Sequence, residues 1–85
     1  MSRRLLTGQV FGMLALACGA ESARIREDSE LARLGTRRLT SIDLGQVVEQ
    51  RFKVRLTERE LAFCETAGTL VDVIENRLER LGGAL

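Results

Sequence analysis

Residues Leu34–Phe52 read LGTRRLTSIDLGQVVEQRF, and the apolar positions in this stretch recur at helical spacing. Leu39, Ile42, Leu44, Val48 and Phe52 fall along one face of a helix that begins near Arg37 or Arg38 and runs to Phe52, with Val47 flanking the stripe. Gly45 inside it costs up to about 1 kcal/mol relative to alanine. That glycine either admits another helix at close range or is drift.

Outward from this segment the pattern stays helical. Downstream, KVRLTERELAF places Thr57 and Glu60 at capping-box spacing, which starts a short helix anchored by Leu61. A last helix starts near Thr66 to Thr69 and runs to about Leu81, with Leu70, Val73, Ile74, Leu78 and Leu81 along one face and Gly82-Gly83 ending it. Upstream, Ser2 is a possible cap for a helix from about Arg3 to Cys18. Leu6, Val10, Met13, Leu14 and Ala17 form its stripe, Phe11 and Cys18 lie beside it, and Gly19 is its terminator. The intervening GAESARIREDSELARLG is polar and has no sustained stripe. It reads as a long ordered connection pinned to the core by Ile25, Leu31 and Leu34.

Composition agrees with one small, mostly helical domain spanning residues 1–85. Of the 85 residues, 45% are hydrophobic and 29% charged, and proline is absent, a balance that suits a folded chain and argues against disorder. The net charge of +1 lacks the basic excess of a nucleic-acid binder. With no histidine and only Cys18 and Cys64, no usual zinc site can be assembled, so no metal is expected. The two cysteines read as reduced, buried small hydrophobes rather than as a disulfide. No catalytic constellation is visible, and an enzyme is not expected. The start, Ser2-Arg3-Arg4 followed by LLTGQVFGMLALAC, has the outline of a leader with an Ala-Cys cleavage site. Gly8 and Gln9 interrupt the apolar run, however, and the helical stripe favours an amphipathic first helix in a cytoplasmic protein. The run is too short to span a membrane, and no membrane association is expected.

Order and spacing along nearly the whole chain resemble the acyl and peptidyl carrier proteins. In that family, Leu-Gly is followed by one variable residue, then Asp-Ser-Leu, then an amphipathic helix closed by Phe. Laid on this chain without a gap, the pattern puts Thr36 on the variable residue, Arg37 on the Asp, Arg38 on the Ser, Leu39 on the Leu and Phe52 on the closing Phe. VFGMLALACGAESARIREDSELARLG looks like the family's first helix and long loop. KVRLTERELAFCETAGTLVDVIENRL looks like its second half, with a Thr-rich joint before a Leu-Val-x-x-Ile pattern. The resemblance implies an all-α, acyl-carrier-protein-like four-helix bundle: three main helices, a short third helix and a long first loop.

The resemblance also implies a 4'-phosphopantetheine arm at position 38, where the family serine is the nucleophile. Arg38 is a permanently protonated guanidinium and cannot take that role, so no cofactor is expected there. Two cations at a helix amino terminus also oppose the helix dipole, each by about 0.3–1 kcal/mol at an exposed site. One reading is neutral decay of a disused site. Another is that Arg37 and Arg38, with Thr40 and Ser41, contact an anion or a partner's carboxylate. A third takes TSIDL, residues 40–44, as the family's DSLDL and makes Ser41 the bearer of the arm. That register breaks the Leu-Gly spacing and shortens the helix before Phe52, and a helical serine hydroxyl commonly bonds a backbone carbonyl instead.

Family members are acidic and show their enzymes an acidic second helix. Here Asp43 and Glu49 are offset by Arg38 and Arg51, which weakens or redirects electrostatic steering. The alternating charges from Arg24 to Arg33 read as a solvated surface. The expectation is therefore an accessory or recognition component of a bacterial acyl- or peptidyl-transfer pathway, whether fatty acid, polyketide or nonribosomal peptide. It would act through protein partners as a monomer or weak dimer. The bacterial assignment rests on the free-standing form and arginine-rich usage. The alternatives are a working carrier modified at Ser41, and a small helical anion-binding module using Arg37 and Arg38.

Overall fold

The computed structural model describes residues 2–19, 21–34 and 41–82, with the side chains at 32, 41–43 and 82 outside that description. Four α-helices follow one another: α1 (Arg3–Cys18), α2 (Ser41–Phe52), α3 (Glu58–Phe63) and α4 (Ala67–Gly82). Two 3₁₀ turns, Ser22–Arg24 and Leu31–Arg33, lie in the connection between α1 and α2. No β-strand occurs among the described residues, and the all-α, carrier-like four-helix arrangement expected from the sequence is what the chain adopts. No helix among the described residues is long and apolar enough to cross a membrane.

Helix α1 occupies the interval its stripe implies. Leu6, Val10, Met13, Leu14 and Ala15 are buried, and Gly19 ends the helix in the left-handed region at φ 68°, donating its N–H to the Ala15 carbonyl. Ser2 stands at the cap position, but its side chain makes no capping bond. Helix α1 packs against α4, which contributes Ala67, Leu70, Val71 and Ile74 to the same core. Fully burying side chains such as Leu6, Leu14, Leu70 and Ile74 contributes about 1.5–3 kcal/mol each. This helix pair is the frame on which the rest is hung.

Helices α2 and α3 form the second packed pair. Leu44, Val48 and Phe52 of α2 are buried with Val54, Leu56 and Leu61, and Val47 is half-buried against the core. Leu39 and the Ile42 side chain, also expected in this core, lie outside the described residues, as do the expected start of α2 before Ser41 and Gly83. Gly45 is where the two helices meet: a Cβ there would come 2.9 Å from Leu61 Cδ1, so the glycine serves a close approach. After α2, Lys53 takes a positive φ of 59°, an αL position more often filled by glycine. Helix α3 starts with a complete capping box. The Thr57 hydroxyl accepts from the Glu60 N–H at 3.1 Å, and Glu60 Oε1 accepts from the Thr57 N–H at 3.0 Å.

The long connection is held by its main chain as much as by its side chains. Ile25 and Leu31 are buried and Leu34 is packed half-buried on the core, the three anchors expected from the sequence. In addition, the Ser29 and Glu27 carbonyls accept the Ala67 and Gly68 N–H groups, each at 2.9 Å, and Leu31 N–H donates to the Glu65 carbonyl at 2.9 Å. The Thr66 hydroxyl accepts from the Thr69 N–H at 3.2 Å. The first N–H groups of α4, which every helix leaves without an internal partner, are therefore satisfied mostly by the loop. Gly68 is what allows it, since a Cβ there would lie 2.9 Å from the Glu27 carbonyl oxygen.

One sequence expectation fails in detail. Leu81, placed on the buried face of α4, is 55% exposed, whereas Val71 beside that face is fully buried. At the last turn of α4 no described residue covers the continuing stripe.

Candidate functional site

The residues singled out from the sequence directly precede or open α2 along the chain. Arg37, Arg38 and Thr40 lie outside the described residues, as does the Ser41 side chain; Ser41 itself is the first residue of α2 in the description. The described parts of this neighbourhood are its supports. On one side Leu34 caps the second 3₁₀ turn and packs on the core. On the other, the body of α2 is fixed by Leu44, Val48 and Phe52.

The exposed charge on α2 is arranged differently from a simple offset within the helix. Glu49 pairs with Arg55 beyond the helix end, at 3.5 Å, an exposed contact worth little in solution. Arg51, in the last turn, has no ion pair among the described residues. Two grooves flank the helix. One, of about 340 Å³, is lined by Gly45, Gln46, Glu49, Arg55, Leu56, Glu58 and Leu61 between α2 and α3. The other, of about 390 Å³, is lined by Met13, Leu16, Ala17, Val47, Gln50 and Arg51 between α1 and α2.

Two arginines that sequence reasoning passed over tie the bundle together. Arg3 reaches Asp72 at 2.7 Å, Glu75 at 3.2 Å and Glu27 at 3.3 Å, linking the start of α1 to α4 and the loop. These carboxylates, the Asp72 hydrogen bond foremost, raise the affinity of its guanidinium for its proton. Arg77 of α4 donates from Nη2 to Glu60 Oε2 and from Nη1 to the Arg55 carbonyl at 2.9 Å. Glu60 is thus held ionised, its pKa lowered first by the Thr57 N–H and then by Arg77. Nothing in spacing marks either arginine, because both reach partners distant in sequence.

The two cysteines differ in environment. Both are free thiols. Cys64 is buried, and its Sγ–H donates to the Glu60 carbonyl at 3.2 Å. Burial, with smaller contributions from the charges of Glu60 and Asp72, pushes its pKa up to about 11, so at neutral pH it is a thiol and not a nucleophile. Cys18 is half-buried and is also shifted up by burial.

Comparison with known proteins adds a direction. No protein-family model matches the chain. It is 32% identical over 75 residues, 88% of its length, to a segment of a non-reducing polyketide synthase of Aspergillus terreus. It is 38% identical over 56 residues, 66% of its length, to a segment of the non-reducing polyketide synthase dbaI of Emericella nidulans. The chain spans 3% and 2% of those two proteins. Both are fungal, so they lend no support to a bacterial source.

Proposed function

We propose that this chain is a carrier-protein-like module of a polyketide-type acyl-transfer system that works through protein recognition and bears no covalent arm at position 38. The observation that carries the reading is the presence of Arg38 at the prosthetic-group position of a chain with a carrier-like helical fold and an uninterrupted register from Leu34 to Phe52. Similarity to short segments of two polyketide synthases supports the polyketide assignment over the fatty-acid and peptide alternatives. The residue chemistry does not fit a phosphopantetheine at 38, because a guanidinium offers only N–H donors and no nucleophilic lone pair. In this reading Arg37 and Arg38, with Thr40 and Ser41, meet an acidic group on a partner. Arginine suits that task because its planar fork matches a carboxylate in two hydrogen bonds. The chain itself catalyses nothing.

The test is covalent mass. The purified protein is incubated with coenzyme A and a broad-specificity phosphopantetheinyl transferase, and its intact mass is recorded beside a Ser41→Ala variant. No gain in mass is the expected result. A gain of one arm that disappears in Ser41→Ala would overturn the reading and make the chain a working carrier. Calorimetry with inorganic phosphate and coenzyme A then addresses the anion-binding alternative, which Arg37→Ala and Arg38→Ala must abolish if it holds.

A further inference from the structure

The groove between α1 and α2 is lined from the C-terminal half of α2, and its composition is unusual for a solvated surface. Met13 forms a buried floor, Ala17 and Val47 are half-buried walls, and Leu16 stands at the edge 86% exposed. The polar rim is Gln50 and Arg51. Among the described residues no carboxylate lines the groove and none pairs with Arg51, and the sequence of α1 contains no acidic residue. An apolar trough with one uncompensated cation at its rim is complementary to an apolar surface bearing negative charge. We propose that this groove docks an amphipathic helix of a partner protein, whose apolar side chains cover Leu16 and Val47 and whose flanking carboxylate meets Arg51.

The charge pattern selects this occupant. A second copy of the chain using the same face would set Arg51 against a groove whose described lining residues include no carboxylate to meet it. A helix fits an open trough running between two helices, because residues at i, i+4 and i+7 present one continuous apolar edge. The inference does not rest on the carrier reading, since neither Arg38 nor Ser41 takes part.

The experiment uses two synthetic amphipathic helices with the same leucine face, one flanked by glutamates and the other by lysines, titrated into the isotopically labelled full chain. The glutamate peptide is expected to shift the amide resonances of Met13, Leu16, Ala17 and Val47 and to bind about threefold or more tighter than the lysine peptide. Leu16→Ser should weaken it about tenfold, and Arg51→Glu should reverse the preference between the peptides. Both positions are exposed, so both variants keep the fold. Shifts elsewhere, no shifts, or a preference that survives Arg51→Glu would overturn the proposal. So would concentration-dependent dimerisation lost in Leu16→Ser, which assigns the face to a second copy, or a response to decanoate where neither peptide gives one.

Discussion

Replacing Gly68 by alanine puts the joint between loop and last helix under direct strain. A Cβ at 68 would sit 2.9 Å from the Glu27 carbonyl oxygen and 3.1 Å from Glu27 Cβ, well inside the 3.5–4.0 Å at which carbon contacts are most favourable. The obstructing atoms include main chain, so no rotamer change clears them. The loop must retreat, and with it go the bonds Gly68 N–H to Glu27 and Ala67 N–H to Ser29, both 2.9 Å. Overpacking of this kind costs about 1–3 kcal/mol, and each weakened backbone bond adds about 1 kcal/mol. Against this stands a helix-propensity gain of at most about 1 kcal/mol. The expected net is a loss of about 2–4 kcal/mol, at about 4–8 °C of melting temperature per kcal/mol for a domain of this size. Urea denaturation measures it, with Gly8→Ala as control. A Cβ at Gly8 meets nothing within 4 Å, so that change should stabilise by up to about 1 kcal/mol. Gly68→Ala as stable as the parent, alongside a stabilised Gly8→Ala, would refute the reasoning.

Other changes test the remaining joints. Lys53→Gly relieves the only positive φ of a non-glycine residue among those described and should raise stability by about 0.5–1 kcal/mol in the same urea titration. Thr57→Ala removes the cap of α3 and should cost about 1 kcal/mol, whereas Thr57→Ser should keep most of it. Because the Glu60 pKa is lower in the folded than in the unfolded chain, its contribution is present above about pH 4.3 and is lost as pH falls through the folded value. Glu60→Gln should therefore flatten the acid limb of a stability–pH profile. Iodoacetamide at pH 8 should label Cys18 well before Cys64, and equal rates would contradict the burial and raised pKa of Cys64.

The sequence is most informative where one residue type has one physical use. Gly19 ends α1 because a left-handed cap wants no Cβ, and Thr57 with Glu60 starts α3 because their side chains complete each other's backbone bonds. Ile25 and Leu31 are legible as anchors because they are isolated apolar side chains in a polar stretch. The loop's hold on α4 is not legible, since carbonyl oxygens at Glu27 and Ser29 carry no signature of their own. The roles of Arg3 and Arg77 are hidden for a similar reason: any surface arginine reads alike until its partners are placed beside it. Leu16 belongs to an apolar run yet faces outward, because two turns of stripe do not say which flank a neighbouring helix leaves open. At the candidate site the expectation of no arm at Arg38 comes from residue type alone, since Arg37, Arg38 and Thr40 lie outside the described residues. Of the charges expected to offset one another on the second helix, Asp43 and Glu49 against Arg38 and Arg51, the described ones show Glu49 paired with Arg55.

Fastening the long loop through main-chain carbonyls separates what the loop is from where it sits. A carbonyl is the same group whichever side chain shares its residue, so positions such as Asp28 can change charge or size without loosening the start of α4. The constraint is transferred to the other half of the joint, where any Cβ at Gly68 presses on the Glu27 main chain. A surface built this way can acquire new binding preferences on one side of the contact while a single glycine on the other preserves the architecture.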